Sequence, residues 1–92
     1  IGALVLARLV DLLRGEIDVI ARERTVIALV EVKARASLRF GSALAAVDAR
    51  KRRTLRALAA DWLQIAAPGA RARFDVVTVE AGAIRLHRGA FE

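Results

Sequence analysis

The run Val26-Ile27-Ala28-Leu29-Val30 is apolar throughout, rich in β-branched residues, and ends in Glu31, Val32 and Lys33. Such a run belongs in the interior of a sheet, because apolar side chains fill both of its faces. It constrains the fold more than any other segment, since the rest of the chain must supply neighbouring strands and a covering layer. It also poses a problem. Side chains alternate along a strand, so Glu31 and Lys33 point the same way at the end of a buried run. A carboxylate and an ammonium placed there are costly unless each has a partner.

The flanking segments supply the neighbours. Leu4 to Val10 predicts a short apolar strand, bounded by the mixed stretch Asp11 to Gly15. Glu16 to Ala21 alternates polar and apolar, and predicts a strand that turns near Glu23 to Thr25 into Val26–Lys33 as a hairpin. A helix is predicted from Gly41-Ser42, with Ser42 as N-cap, to the stop at Pro68-Gly69. Within it Leu44, Val47, Leu55, Leu58, Ala59 and Trp62 recur at three- and four-residue steps and form one apolar stripe. Phe74 to Val79 and Ile84 to Leu86 predict two further strands. The expected architecture is α/β, a mixed sheet in the order strand-strand-strand-helix-strand-strand with the helix on one face. One domain over residues 1–92 is expected from the length.

Composition narrows the function classes. The absence of cysteine excludes disulfides and Cys-based zinc sites, and makes a reducing compartment the default. No apolar run approaches the ~20 residues that cross a bilayer. Arg8, Asp11 and Arg14 interrupt the first hydrophobic stretch, so no signal peptide and no membrane partner are expected, and the expected address is the cytoplasm. The chain lacks methionine and opens on Ile1, already in a strand-like segment, which predicts a missing N-terminal element. Sixteen Lys and Arg stand against ten Asp and Glu, a net charge of +6 that favours a polyanionic partner. Arginine-rich coding bias would raise the same count.

The chemistry converges on the hairpin. Glu16 and Asp18 share a face of their strand, as Glu31 and Lys33 do of theirs, and the hairpin brings Asp18 near Glu31. Two facing carboxylates repel unless a cation or a proton sits between them. Mg²⁺ resolves the conflict with one or two carboxylates, water and substrate phosphate in its shell. Lys33 is then placed to orient an attacking water or to stabilise charge on the phosphate. The competing reading of Glu-x-Lys is a solvated salt bridge at a sheet edge.

On the helix, Lys51 falls near the middle of the apolar stripe, with Val47 and Leu55 four residues to either side and Asp48 close by. It either snorkels to the edge of the core or reaches the acidic site. Arg50, Arg52, Arg53 and Arg56, with Arg35 and Arg39 before the helix, form either a track for a nucleic-acid backbone or a solvated basic face. His87, the only histidine, lies near the end and reads as a surface residue. There is no Ser-His-Asp or Cys-His arrangement and no phosphate-cradling glycine loop. The few scattered aromatics make no stacking platform.

Several blocks are similar to those of a known family. Gly15-Glu16-Ile17-Asp18-Val19-Ile20-Ala21-Arg22 and Val30-Glu31-Val32-Lys33-Ala34-Arg35 resemble two signature blocks of the bacterial YraN family. Phe40-Gly41-Ser42, Ala46-Val47-Asp48, Lys51, Arg73-Phe74-Asp75-Val76-Val77 and the closing Ala90-Phe91 resemble others, so the likeness covers nearly the whole chain. The resemblance implies a restriction-endonuclease-like fold, related to PD-(D/E)XK enzymes and archaeal Holliday-junction resolvases. It implies Asp18 and Glu31 as ligands of Mg²⁺ or Mn²⁺, Lys33 as the catalytic lysine and Glu16 as an accessory acid. It further implies DNA as partner and leaves room for a homodimer. Family members usually open with a helix that this chain lacks, and carry glycine where Arg24 stands in the hairpin, which predicts a tip that is either strained or rebuilt.

Three functions are therefore expected in turn: a metal-dependent DNA endonuclease acting on branched or structured DNA, a non-catalytic nucleic-acid-binding module on the same fold, and an interaction domain whose acids only close salt bridges.

Overall fold

The computed structural model describes residues 4–12, 15–35, 45 and 47–91, the first of these stretches as backbone only. Among the described residues, five strands and one helix follow in the predicted order: β1 (Leu4–Leu12), β2 (Gly15–Glu23), β3 (Val26–Arg35), α1 (Ala49–Ala66), β4 (Arg71–Glu80) and β5 (Ala83–Phe91). The strands make a single sheet in the order β1-β2-β3-β4-β5, so the apolar β3 lies at its centre. β1, β2 and β3 run antiparallel, whereas β3 and β4 run parallel and are joined through α1. A parallel pair requires such a crossover, because a tight turn cannot return the chain to the same end of the sheet. β5 closes the far edge, antiparallel to β4. A mixed sheet with its crossover helix packed against the core is consistent with a nuclease-like α/β fold; α1 is the one helix among the described residues.

The core lies between sheet and helix. Ile17, Ile20, Ile27, Leu29, Val76 and Phe91 meet Val47, Leu55, Leu58 and Ala59 in one buried cluster. Leu55, Leu58 and Ala59 are the predicted stripe, with Trp62 packed at its margin. Phe74 stacks on Phe91 with ring centroids 4.9 Å apart, which ties β4 to the end of β5.

Two turns show why the strands pair as they do. Ala81 and Gly82 both have positive φ (48° and 81°), the pattern of a type I′ hairpin turn that matches the twist of flanking strands. In the β2–β3 turn Arg24 has φ 56°, the position at which the sequence predicts strain. A side chain there costs about 1–2 kcal/mol over an ordinary conformation.

The helix start is a correction. Ser42 lies outside the described residues, but Val47 and Asp48 are not helical, and α1 begins only at Ala49. Its N-cap is Asp48, whose Oδ1 accepts the N–H of Lys51 at 2.9 Å. Asp and Ser cap equally well, and Val47 sustains the apolar spacing without being helical, so periodicity carried the predicted start too far upstream. The last strand is also longer than Ile84 to Leu86 predicts, since a bulge carries it on to Phe91.

Candidate functional site

The hairpin does bring Asp18 to Glu31. The β2–β3 ladder is regular from Glu23↔Val26 to Val19↔Val30 and stops there. Beyond it the Asp18 side chain takes over from the backbone: its Oδ2 accepts the N–H of Val32 at 2.9 Å. This bond fixes Asp18 against the strand that carries Glu31, so the two carboxyl groups lie close enough for the charge of Asp18 to act on Glu31.

Glu31 is buried, with 6% of its surface exposed. Its carboxyl is held above the ordinary value, first by burial, then by the charge of Asp18. The positive charges of Lys51 and Lys33 pull in the other direction and are outweighed. Lys51 Nζ stands 3.7 Å from Glu31 Oε2, so the lysine on the inward side of the helix reaches the acidic pair. Its amide is fixed by Asp48, which places the Lys51 side chain at the very start of α1.

Lys33 is half-buried and follows Glu31 on the same face. Glu31 and Lys33 lie toward the carboxyl end of β3, beside Val76 and Thr78 of the parallel β4. The carboxyl ends of parallel strands are where open α/β sheets receive ligands.

The donor set suits a hard divalent cation. Among the described residues no group of three or more His, Asp or Glu converges, so the pair Asp18–Glu31 stands alone. Two facing carboxylates are ligands that Mg²⁺ or Mn²⁺ accepts, with water and phosphate oxygens filling the remaining positions. A closed four-ligand structural site would need more protein donors.

The other predicted residues divide. Glu16 is exposed, and no hydrogen bond or ion pair joins it to the acidic pair. Arg50 and Arg53 are exposed on the first turn of α1, free for a partner in solution. Arg52 turns inward: its Nε donates to Val47 O at 2.9 Å and its guanidinium lies 5.5 Å from the centroid of Phe91. Arg35 is half-buried at the end of β3, opposite Glu80. Arg39 lies outside the described residues.

Two groups were not predicted. His87 is half-buried, and its Nε2 lies 2.9 Å from Oγ1 of the buried Thr78. Elsewhere Arg73 holds Asp75 through two hydrogen bonds of 2.8 and 2.9 Å and also donates to Glu23 at 3.1 Å. Arg88 adds a second cation to Glu23 at 2.9 Å. Burial pushes the Asp75 carboxyl up, but its bonds to Arg73 and the Gly89 N–H, with the charges of Arg73 and Arg88, leave it below the ordinary value. The Arg-x-Asp spacing, two residues apart on one strand face, was the available signal. Glu23, Arg73 and Arg88 also line a cavity at the hairpin tip with Arg24, Thr25 and Val26. Their charges are matched within the cluster, which marks a structural brace rather than a second site.

A mixed sheet with an acidic pair and two lysines at its parallel ends defines a small nuclease-like α/β domain in fold. Comparison with known sequences then places it. The profile of the uncharacterised protein family UPF0102 matches residues 2–79, and the chain belongs to that family. It is 45% identical over 92 residues to a UPF0102 protein of Burkholderia pseudomallei strain 1710b, covering 98% of this chain and 63% of the relative. A UPF0102 protein of Burkholderia lata is 43% identical over 91 residues, with 98% and 64% covered. One from Burkholderia cenocepacia strain HI2424 is 46% identical over 78 residues, with 84% and 55% covered. The chain thus spans less than two thirds of the length of these relatives.

Proposed function

We propose that this domain is a metal-dependent DNA endonuclease of the cytoplasm, acting on branched or otherwise structured DNA. The observation that carries the reading is the Asp18–Glu31 pair, buried on one side, fixed by the Val32 N–H, and flanked by Lys33 and Lys51. A pair of this kind is unfavourable for stability and has a clear use when a cation sits between its charges. Asp18 and Glu31 would hold Mg²⁺ or Mn²⁺. The cation, when bound, supplies charge neutralisation at the phosphate and a more acidic water.

The chain's own groups do the remaining work. The Val32 N–H keeps the Asp18 carboxylate turned toward Glu31, so both acids are preorganised. Lys33, on the same face as Glu31, is positioned to orient the attacking water and to stabilise negative charge as the phosphodiester is cleaved. Lys51 compensates the carboxylates and orients Glu31.

The charge distribution of α1 supports an anionic partner. Its first five residues carry Arg50, Lys51, Arg52 and Arg53 against the single carboxylate of the N-cap Asp48, and its last turn carries no base. That is the reverse of what stabilises a helix, whose N-terminus already bears partial positive charge. A phosphate backbone laid against that end removes the conflict.

The test is a titration of Mg²⁺ or Mn²⁺ against linear, flapped and four-way-junction DNAs. Cleavage should appear with metal and vanish in Asp18→Asn and Lys33→Ala, while both variants still retain DNA. Wild-type cleavage rates in both variants would sink the reading. The basic first turn of α1 also favours a second reading, a non-catalytic nucleic-acid-binding module, because it needs no metal. Salt-dependent DNA retention with no metal-dependent product on any substrate would establish that one.

A further inference from the structure

The register across β3, β4 and β5 draws one residue into the neighbourhood of the site that nothing in its local sequence points to. Glu31 pairs with Val76, and Val76 pairs with His87, so Glu31 and His87 lie in one row across the sheet. Paired residues on adjacent strands face the same way, and two strand spacings make about 10 Å. The next row runs Lys33, Thr78, Arg85. Lys33 on β3, and His87 and Arg85 on β5, therefore occupy the same sheet face as Glu31. Lys51, Arg50 and Arg53 occupy its helix side.

The imidazole is anchored. Thr78 is buried, with 3% of its surface exposed, and its hydroxyl would lack a partner in the core without His87. The bond engages Nε2 and leaves Nδ1 without a hydrogen-bond partner among the described residues. When the Thr78 hydroxyl donates to Nε2, the neutral ring must carry its proton on Nδ1, which becomes an oriented donor. The bulge that ends β5 helps place it. Between His87 and Phe91 three residues oppose the single Asp75, and the Gly89 N–H, at φ 58°, donates to Asp75 Oδ1 at 2.9 Å.

The geometry points to His87 as a substrate-positioning residue: with Lys33 and Arg85 it binds a phosphodiester of the nucleic-acid strand next to the one at the acidic pair. This rests on the nuclease reading for the identity of the ligand, and adds the path of the strand, from the start of α1 across β3 toward β5. An anion is the ligand because this flank offers donors and positive charge, while Glu31 is already engaged by Asp18 and Lys51.

Because the chain holds one histidine, its imidazole signals in ¹⁵N-edited NMR need no assignment by mutation. The experiment adds a short DNA duplex to the protein in EDTA at fixed pH, so that binding is read without turnover. The imidazole signals should shift on binding. Affinity should fall about tenfold in His87→Ala, the loss of one hydrogen bond to a charged group. His87→Gln, which keeps a side-chain donor, should recover most of that loss, and Arg85→Ala should lower the slope of affinity against salt. A merely structural His87 would alter melting temperature but neither the salt slope nor the ring signals. DNA binding with unmoved imidazole signals and unchanged affinity in both His87 variants would overturn the inference and leave the nuclease reading intact. The converse, His87-dependent binding with no metal-dependent product, would remove the nuclease reading and keep the phosphate contact. Failure of the wild type to bind DNA at all would overturn both.

Discussion

Asp18 reaches across the end of the β2–β3 ladder and accepts the N–H of Val32 at 2.9 Å, so a side chain does there what the neighbouring backbone does elsewhere. One carboxylate thus serves the fold and faces Glu31 at the same time. Asparagine and alanine should separate these roles. Asp18→Asn keeps an acceptor for the Val32 N–H but removes the charge, so it should fold with near-wild-type stability and lose metal-dependent cleavage by several orders of magnitude. Asp18→Ala removes both and should lose in addition about 1 kcal/mol of stability. Urea unfolding of the two variants beside a cleavage assay checks the difference. Equal stability of both variants would show that the bond to Val32 contributes nothing.

Glu31 makes the site costly to the fold. Its carboxyl is raised, by burial first and by Asp18 next, so the folded state prefers the neutral form. The sign follows from linkage: this preference contributes stability below the unfolded value near 4.5, and the contribution is lost as pH rises through the higher folded value. Glu31→Gln should therefore melt higher than the wild type at pH 8, and the gap should close as pH falls toward 4.5. Added Mg²⁺ should raise the melting temperature of the wild type and leave the variant unmoved. A variant less stable at pH 8 would contradict the assignment of burial as the dominant cause.

Lys51 tests whether the ion pair with Glu31 acts on stability or on substrate. Its side chain is 39% exposed and its Nζ is 3.7 Å from the carboxylate, so solvent screens the pair. Lys51→Ala should change unfolding free energy by less than about 1 kcal/mol. Under the proposed function its effect on cleavage should be larger, about tenfold or more, and most of it should appear in binding at low salt. Lys51→Arg should recover binding. A loss confined to stability would return Lys51 to the snorkelling role that its place on the stripe first allowed.

The readable and unreadable parts of this chain differ in the distance over which their causes act. The strand order was legible because Val26–Val30 can only be a central strand and because Glu16–Ala21 alternates on one side of a short turn. The meeting of Asp18 with Glu31 was legible for the same reason: it depends on one hairpin. The start of α1 was not, because Val47 keeps the helical spacing of buried residues while lying outside the helix. Arg52 looked like its basic neighbours and is instead bound to Val47 and set over Phe91, the second a partner from the far end of the chain. The nearness of His87 to the acidic row depends on two registers and a bulge, none of them local.

That bulge gives the final prediction, because the residue that holds it lies outside the acidic site. Asp75 accepts from Arg73 and from the Gly89 N–H, and thereby joins the middle of β4 to the bulged end of β5. Arg73 also holds Glu23 at the tip of β2, so the chain Glu23–Arg73–Asp75–Gly89 links β2, β4 and β5. Asp75 is 3% exposed, and Asp75→Asn leaves Arg73 with a weaker partner beside a buried amide, which should cost about 2 kcal/mol. Because the folded-state value of Asp75 is lowered, its contribution is present above the unfolded value of 3.8 and is lost as pH falls through the folded one. The stability difference between wild type and Asp75→Asn should thus be full at pH 7 and shrink once pH drops below 3.8. Since Gly89 loses a charged anchor, the imidazole signals of His87, two residues away, should broaden or shift in the variant without any ligand. Chemical denaturation at both pH values and the same NMR spectrum check the two halves of the argument. A destabilised variant with an unperturbed His87 would confine Asp75 to bracing the hairpin.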